Sequence, residues 1–367
     1  MGIDINAISR RLNEPGGRIT IGIDGFVDEV WQVVESRAGV NEYAIFNHIR
    51  RFGEHIAQRG EGGMANEIIR KRRGYGGFTA NTGNAITCFG VETVMLALFG
   101  KNTIDPVFEP LDGTGAARVI SIGEPAVCHI FEFDDGKAMF PYNKAISDLD
   151  WQYLIKALPL DTLKQCMGGA DIIAIGYWSN MPAFDDLVLK ICANLLNAAK
   201  QQRMFFDLAD ITKRDKTALL NTLSTLGDLN AKIPMTLSLN EHEAERLFSY
   251  MGERFSMEAG YAAESAERVR QKTGLAEIVV HTPNFALAAS RFEGTVTVRQ
   301  QYCNNPVRTA GAGDTFNGGY MVAAVKKLPV RERLAVANAT TGFFIKNGYA
   351  PNQEEVTDEI QLYYGNE

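Results

Sequence analysis

The feature that most constrains this chain is an alternation of short apolar strand-like segments with helix-like segments, which becomes regular from about residue 76 onward. The first strand is predicted at 18–24, where isoleucines alternate with threonine and glycine. Further strands are predicted at 93–99, 171–175, 204–206, 235–239 and 277–281, and then a hairpin at 285–290 and 295–299. Helices are predicted at 79–89, 185–200, 216–226, 241–250, 262–273, 314–326 and 331–346. This alternation predicts a mostly parallel sheet with helices on both faces.

Two segments interrupt the alternation and indicate a second, smaller sheet. They are 26–34 and 118–142, and the second contains β-type segments and a hairpin turn at Asp134-Asp135-Gly136. Residues 41–73 are polar and charged, and their helix-like stretches predict an elaboration between core elements. Because no internal repeat or linker-like tract divides the chain, we predict one domain spanning 1–367.

The composition excludes several classes of partner. Apolar residues make up 46% and charged residues 22%, as in globular proteins, and the net charge is -7. Nucleic acid and anionic membranes need clustered positive charge, so neither is expected as a partner. The basic run at 70–73 is interpreted as a solvated turn or a local anion contact. Five scattered cysteines, no signal peptide and no membrane-length apolar run predict a cytoplasmic protein without a zinc site.

The most informative motif is Thr-Ala-Gly-Ala-Gly-Asp-Thr-Phe-Asn-Gly-Gly at 309–319. Gly311, Ala312 and Gly313 lack bulky side chains, so their N–H groups can turn inward and approach an anion closely. A helix predicted to start near Asp314 adds roughly half a positive charge at the same point. A carboxylate there can take the proton of an attacking alcohol while the amides hold a phosphoryl group. On physical grounds alone, a tight turn with Asp314 as a helix cap fits equally well.

The residues from Gly311 to Gly319 closely resemble the C-terminal signature of the ribokinase (PfkB) family of carbohydrate kinases. That signature is commonly Asp-Thr-Thr-Gly-Ala-Gly-Asp-x-Phe. Three other segments are similar to family motifs in the family's order, namely Asp28 after the first strand, Gly-Gly-Phe-Thr-Ala-Asn at 76–81 and Asn-Glu-His-Glu at 240–243. The resemblance implies a ribokinase-like three-layer α/β/α sandwich with a small β-sheet lid, which often pairs into a homodimer.

The resemblance also implies roles for single residues. Asp314 would be the catalytic base beside an anion hole of Gly311, Ala312 and Gly313. The sugar would be bound by Asp24, Asp28, Gly76, Gly77 and Asn81. ATP would be bound by Asn240, Thr309 and Asn338, and Glu243 would order Mg²⁺ through water. A similar Gly-Gly-Met-Ala-Asn at 62–66 lacks the alanine-rich helix and the strand that follow the later copy, so we prefer the later copy.

Several positions depart from the family pattern. Arg308 stands six residues before Asp314, where relatives usually carry an Asp that belongs to a monovalent-cation site. A guanidinium there should repel potassium and replace its charge, which predicts activity independent of potassium. The family's Thr-x-Gly turn near the nucleotide is His-Thr-Pro at 281–283, and its Asp-Pro-Asn-x-Arg segment is Asp-Leu-Ala-Asp at 207–210. Gly-Lys-Asn at 100–102 replaces Gly-Asp-Asp. These changes bear mainly on the identity of the substrate.

The predicted activity is therefore Mg²⁺- and ATP-dependent phosphorylation of a hydroxyl group on a sugar or sugar-like alcohol. A nucleoside kinase is one alternative, because Phe26, Trp31 and Phe78 could stack on a base. Another is a catalytically silent regulator that binds sugar or nucleotide, although the retained Asp314 and Gly313 argue against it. A Rossmann dehydrogenase is disfavoured, because no Gly-x-Gly-x-x-Gly follows the first strand.

Overall fold

Two sheets of unequal size organise the chain in a computed structural model that describes residues 2–60, 62–113, 115–197 and 200–365. The strands are β1 (Arg18–Ile23), β2 (Phe26–Arg37), β3 (Tyr43–Ile45), β4 (Ile68–Gly76), β5 (Glu92–Ala97), β6 (Ala117–Ser121), β7 (Ala126–Phe133), β8 (Gly136–Tyr142), β9 (Ile172–Gly176), β10 (Arg203–Asp207), β11 (Met235–Asn240), β12 (Glu277–His281), β13 (Phe285–Ser290) and β14 (Gly294–Arg299). The α-helices are α1 (Ile5–Asn13), α2 (Ile49–Gln58), α3 (Phe78–Thr87), α4 (Glu109–Asp112), α5 (Lys144–Ser147), α6 (Trp151–Ala157), α7 (Leu160–Gly168), α8 (Phe184–Asn194), α9 (Lys216–Asn230), α10 (Glu241–Tyr250), α11 (Ala259–Thr273), α12 (Ala312–Val325), α13 (Val330–Asn347) and α14 (Gln353–Tyr364).

The larger sheet, within the described residues, has nine strands in the order β14-β13-β12-β11-β10-β9-β1-β5-β6. The seven strands from β12 to β6 in this order pair in parallel. The hairpin of β13 and β14 is added antiparallel at one edge. The predicted parallel sheet and its edge hairpin are confirmed.

Side chains on the two faces of the larger sheet belong to two separate apolar cores. On β9, Ile172 and Ala174 pack with α3, α12 and α13, whereas Ile173 and Ile175 pack with α7, α8 and α9. Successive side chains of a strand point to opposite faces, so a strand buried on both sides serves both cores. This arrangement is the predicted three-layer α/β/α sandwich.

The carboxyl ends of the parallel strands meet at one edge of the larger sheet. Five residues lie at or directly after these ends, namely Asp24, Tyr177, Asp207, Asn240 and His281. In open α/β sheets this edge forms the crevice in which ligands bind. The topology therefore gathers polar side chains that are far apart in the sequence.

The smaller sheet begins at this same edge. In it, β2 pairs antiparallel with β3 and β4 and parallel with β7, and β8 pairs with β7. The chain passes from β1 to β2 through Gly25, where any side chain would overlap the carbonyl group of Leu98. Glycine permits this close approach, so the smaller sheet leaves the larger one beside the crevice.

The structure corrects the predicted extent of the smaller sheet. The part of segment 118–142 that forms β7 and β8 lies in this sheet, but β6 pairs parallel with β5 at the edge of the larger sheet. Strands β3 and β4 come from 41–73 and its border, where helix-like stretches are predicted, although α2 also forms there. A sequence pattern identifies a strand, but the sheet that the strand joins depends on partners distant in the chain.

The basic run at 70–73 lies on β4 and is not a turn. Arg73 makes two hydrogen bonds to the carboxylate of Asp105, at 2.8 and 2.7 Å, and the guanidinium of Arg70 lies over the ring of Trp31. Both ends of the run therefore have local partners.

Several helices are absent from the sequence predictions, including α1 and α14, which pack against each other. Helix α1 is short and carries charges, but Asp4 caps it by accepting a hydrogen bond from the backbone N–H of Ala7. The predicted helix 185–200 ends earlier, at Asn194, and positions 198 and 199 lie outside the described residues. None of the described helices combines the length and apolar content that crossing a bilayer requires.

Candidate active site

The site is centred on the start of α12. Gly311 precedes this helix with a φ of 88°, a left-handed conformation that glycine adopts at little cost. The N–H of Ala312 donates to the carbonyl of Thr309 at 3.1 Å. Helix geometry leaves the N–H groups of Gly313 and Asp314 without a partner inside the helix. Free amides at a helix start, together with the helix dipole, favour a negatively charged group at this point.

Asn81 and Asp314 lie together, although 233 positions separate them in the sequence. The side-chain amide of Asn81 donates to Oδ2 of Asp314 at 3.0 Å. Close packing of α3 against α12 makes this possible, because a side chain at Gly318 would approach Cβ of Ala85 to 2.7 Å. Gly318, a glycine of the same motif, thus allows the predicted base and a predicted sugar-binding residue to come into contact.

The environment of Asp314 suits a proton acceptor. Burial raises the pKa of its carboxyl well above the usual range, the charge of Asp207 raises it further, and the hydrogen bond from Asn81 lowers it. A carboxylate with a raised pKa binds a proton more readily and remains hydrogen-bonded by Asn81 while ionised. Both properties are those expected of a general base.

Asp207 is a site residue that motif reasoning missed. It ends β10, its Oδ1 accepts from the N–H of Ala209 at 2.9 Å, and its Oδ2 accepts from the amide of Asn317 at 2.7 Å. Asn317 belongs to the motif at 309–319, so the motif also orients a second carboxylate. The available signal was the position of Asp207 at the carboxyl end of a predicted parallel strand.

Asp28 lies on β2, on the side of the smaller sheet that faces Gly76. Any side chain at Gly76 would overlap the carboxylate of Asp28, so this glycine lets the carboxylate pack directly against the backbone. Burial raises the pKa of Asp28 to about 6, and Arg72, Arg308 and Lys137 oppose that rise. Asp28 and Gly76, two of the residues predicted to bind the sugar, therefore lie in contact.

Asp24 and Gly77 are in contact, but Asp24 has a structural partner as well. Its Oδ1 accepts from both the N–H and the hydroxyl of Thr79, at 3.0 and 2.6 Å. Asp24, which directly follows β1, thereby caps the start of α3. The side chain is 0% exposed, its Oδ2 has no hydrogen-bond partner among the described residues, and burial raises its pKa to about 6. Asp24 therefore stabilises the start of α3, and its predicted contact with the sugar stays a prediction.

Asn240 and Glu243 form a capping box at the start of α10. Asn240 accepts from the N–H of Glu243, and the carboxylate of Glu243 accepts from the N–H of Asn240, both at 3.0 Å. Burial raises the pKa of Glu243 well above its usual range, and the nearby carboxylate of Asp207 raises it further. A divalent cation would relieve the repulsion between the two acids. No group of three acidic, histidine or cysteine ligands converges within the described residues, so this cation would keep water or phosphate ligands.

Asn338 and Thr309, two of the predicted nucleotide contacts, lie in different environments from each other. Asn338 is 1% exposed, and its amide donates to the carbonyl of Arg299 and the hydroxyl of Tyr364, both at 3.2 Å. Its side chain therefore holds α13 against β14 and α14 and is not offered to adenine, which corrects that prediction. Thr309 is exposed beside the turn at 309–313.

His281 ends β12 close to the anion-binding turn. A side chain at Gly313 would approach its imidazole to 3.2 Å, and its ring packs on Phe316 with centroids 4.7 Å apart. Burial lowers the pKa of His281 to about 4, so the imidazole is neutral at physiological pH. The earlier glycine motif at 62–66 lies away from this turn. In that motif, the amide of Asn66 donates to the carbonyl of Val34 at 3.1 Å.

Arg308 bridges two loops beside the site. Its guanidinium donates to the carbonyls of Ala310, at 3.1 Å, and Gly348, at 3.4 Å, and it lies over the ring of Phe344. Alkali cations bind carbonyl oxygens. Here the guanidinium of Arg308 already satisfies two such oxygens, so it takes the place of a bound cation.

We therefore expect turnover to be independent of potassium. The initial rate should be the same when tetramethylammonium, sodium or potassium is the monovalent cation, because the charge that holds the turn at 308–311 is covalently attached. The measurement is the rate of ADP release across a potassium titration at constant ionic strength. Strong activation by potassium over both other cations would show that Arg308 does not replace a bound ion.

This chain is similar to known proteins in sequence and in fold. Residues 5–363 match the family described as prokaryotic ketohexokinase. A ketohexokinase from Haloferax volcanii is 26% identical over 346 residues, which cover 93% of this chain and 90% of that protein.

Solved structures share the fold at low sequence identity. Arabidopsis thaliana ribokinase, complexed with ribose and ATP, superposes with a TM-score of 0.64 at 16% identity, covering 95% of this chain and 99% of that chain. Phosphofructokinase-2 from Escherichia coli superposes with a TM-score of 0.62 at 14% identity, covering 95% of this chain and 100% of that chain. A nucleoside kinase from Methanocaldococcus jannaschii gives 0.58 at 16% identity, with coverage of 95% and 100%. The ribokinase-like fold predicted from the motifs is confirmed.

Proposed function

We propose that the phosphoryl acceptor is a ketohexose, because this chain belongs to the prokaryotic ketohexokinase family. The chain is a sugar kinase, which is a phosphotransferase with an alcohol group as acceptor. In the proposed reaction the γ-phosphoryl group of ATP passes to one hydroxyl of the ketohexose, and ADP and a sugar phosphate leave.

The observation that carries the proposed phosphoryl transfer is the contact between Asn81 and Asp314 at the start of α12. Asp314 takes the proton of the attacking hydroxyl, and Asn81 holds the carboxylate in position. The amides of Gly311 and Gly313 stabilise the charge on the moving phosphoryl group, and the amide of Ala312 joins them only if it gives up its hydrogen bond to Thr309. The catalytic step is therefore a matter of positioning and charge, since the protein forms no covalent bond to the substrate.

Asp28 binds the acceptor in this proposal. An ionised carboxylate accepts hydrogen bonds at both oxygens, and neighbouring hydroxyls of a sugar can supply two donors. Gly76 and Gly77 keep the space beside Asp28 and Asp24 free of side chains. The acceptor hydroxyl would then lie between Asp28 on the smaller sheet and Asp314 on α12.

Magnesium belongs beside the phosphates, near Asp207 and Glu243. Burial raises the pKa of both carboxylates, and the charge of Asp207 raises the pKa of Glu243 further, so a cation is favoured between them and the negatively charged nucleotide. When bound, Mg²⁺ supplies positive charge that neutralises the donor phosphates. Glu243 is already fixed by its capping box, which favours contact through a bound water over direct ligation.

The smaller sheet would act as a lid. It carries Asp28 and begins at the crevice, so movement of this sheet toward α12 would enclose the acceptor. Exclusion of water matters for a kinase, because water competes with the sugar for the phosphoryl group.

The outer face of the lid exposes aromatic side chains on β8. Phe140 is 59% exposed and Tyr142 is 65% exposed. We include in the proposal a homodimer formed through this face, since two such surfaces would bury each other's rings. Light scattering at several protein concentrations tests it, and a mass of one chain at all of them would contradict it. A cytoplasmic location remains a prediction from the sequence.

The burial of two candidate stacking residues counts against the nucleoside kinase alternative. Phe26 and Phe78 are 3% and 1% exposed, and the guanidinium of Arg70 lies over one face of the Trp31 ring.

A coupled ADP-release assay with ketohexoses, aldoses and nucleosides tests the proposed function. We expect the highest kcat/KM with a ketohexose, and NMR of the product identifies the phosphorylated hydroxyl. An Asp314→Asn variant in parallel measures background ATP hydrolysis. A preference for nucleosides or aldoses would reject the ketohexose assignment, and absence of turnover with every acceptor would reject a catalytic role.

A further inference from the structure

Tyr177 has an unusual backbone conformation at the carboxyl edge of the sheet. It follows β9 directly, with φ of 63° and ψ of 32°, in the left-handed region that bulky residues seldom adopt. Its N–H donates to the carbonyl of Asp207 at 3.0 Å, which ties this turn to the end of β10. This conformation is unfavourable for a non-glycine residue and persists only where its surroundings fix it.

The turn aims the side chain of Tyr177 into the acceptor region. Strand β9 lies between β1 and β10, so Tyr177 projects between the carboxylates that follow those two strands. Its ring packs against Phe26, with centroids 5.0 Å apart. Phe26 in turn lies against Gly77, where a side chain would approach its ring to 3.1 Å.

The acceptor region is rich in carboxylates, which accept hydrogen bonds. The hydroxyl of Tyr177 differs from them because it can donate one. Burial raises the pKa of this phenol well above its usual range, and the negative charges of Asp24, Asp314, Asp28 and Asp207 raise it further. The phenol therefore stays protonated and can donate. Within the part of the chain that the structure describes, no protein atom accepts a hydrogen bond from it.

A sugar hydroxyl both donates and accepts, so a pocket of carboxylates satisfies only its donor half. The remaining lone pairs of the bound sugar need a donor. The side-chain amide of Asn81 uses one of its two N–H groups to hold Asp314, which leaves a single donor on this side chain for the sugar. A protonated phenol held among these carboxylates supplies the complementary donor without introducing a positive charge next to the base.

We propose that Tyr177 is an acceptor-binding, specificity-determining residue whose phenol donates a hydrogen bond to one hydroxyl oxygen of the bound sugar. This inference rests on the proposed function and adds a residue that none of the sequence motifs contains. The left-handed turn at the end of β9 is what places the hydroxyl there.

The test compares Tyr177→Phe with the unaltered chain by calorimetry. The ligands are D-fructose, as the probe ketohexose, and its singly deoxygenated derivatives. We expect Tyr177→Phe to weaken fructose binding roughly ten-fold, the usual worth of one neutral hydrogen bond, while the KM for ATP stays the same. For the single derivative that lacks the contacted oxygen, the substitution should change the affinity little, because the partner is already missing.

Tyr250→Phe serves as the matched control, since Tyr250 ends α10 at a distance from the turn and its ring contacts Lys216 and Arg246. It should leave every affinity unchanged. Should Tyr177→Phe fail to fold, Tyr177→Asn replaces it, because asparagine tolerates the left-handed backbone and also lacks the phenol.

Three results overturn the inference or its premise. Unchanged fructose affinity in Tyr177→Phe rejects the contact alone. An equal loss for fructose and all derivatives indicates a purely structural role for the ring and also rejects the contact. If the unaltered protein neither binds nor phosphorylates any ketohexose, the proposed function fails and the inference fails with it.

Discussion

Asp314→Asn should lower kcat at least about 100-fold and leave the KM values for sugar and ATP nearly unchanged. Asparagine keeps the shape of the side chain and can still contact Asn81, but it cannot take a proton from the acceptor. The measurement is steady-state ADP release with the best acceptor of the screen. Turnover near that of the unaltered enzyme would remove Asp314 from the mechanism.

The pH dependence of this variant separates loss of the base from loss of structure. Because the pKa of Asp314 is raised, the unaltered enzyme should lose activity as the pH falls through that value, and the variant should lack this acid limb. A raised pKa also means that the folded state binds the proton more tightly than the unfolded state. The ionised carboxylate therefore costs stability as the pH rises, so the variant should melt at an equal or higher temperature at mildly alkaline pH.

A matched control is Asp112→Asn on α4, an exposed carboxylate away from the crevice. It should have kcat within about two-fold of the unaltered enzyme, as for most surface substitutions. A comparable loss in this control would mean that the assay reports a general effect of the substitution.

Asp28→Asn should raise the KM for the acceptor about 100-fold while the KM for ATP stays the same. Hydrogen bonds to a charged group contribute about 1.5–3 kcal/mol, and an amide can accept at only one of its two positions. Burial raises the pKa of Asp28 to about 6, so the carboxyl becomes protonated as the pH falls below that value. In the unaltered enzyme the acceptor KM should therefore rise below about pH 6, and in the variant it should be flat over the same range.

Glu29→Gln is the control for this second prediction. Glu29 is the next residue on β2 and points to the opposite face, where its carboxylate lies 3.7 Å from Arg73 and 3.5 Å from His129. Because such partly exposed ion pairs contribute little, its substitution should leave the acceptor KM unchanged. If both variants weaken acceptor binding equally, the effect comes from the stability of the lid and the sugar contact is wrong.

The sequence predicted the larger sheet well because its information is local. Apolar runs bounded by turn residues mark the parallel strands, and helical spacing marks α9, α10, α12 and α13. The smaller sheet was predicted only in part. Strand β4 is dominated by arginines, lysine and glycine, and such a strand forms because β2 offers it a pairing edge, which no local pattern reveals.

The motif at 309–319 similarly determined where the anion-binding turn and its carboxylate would be, because Gly311 must take a left-handed backbone and α12 must begin after it. Motif reasoning could not show which groups Asp24 and Asn338 contact. Both side chains are buried with partners on other elements, and burial with those partners decided between a helix cap, a core contact and a ligand contact.

The sequence by itself determined the fold class, the family resemblance and the position of the candidate base. Only the tertiary structure decided that Asp207 and Tyr177 join Asp314 at one edge, that Arg308 bridges two loops, and that β6 belongs to the larger sheet. The physical reason is that a turn or a helix start depends on neighbouring residues, whereas the environment of a carboxylate or a phenol depends on charges brought close by packing. Parallel strands far apart in the chain must assemble before their ends can share one crevice.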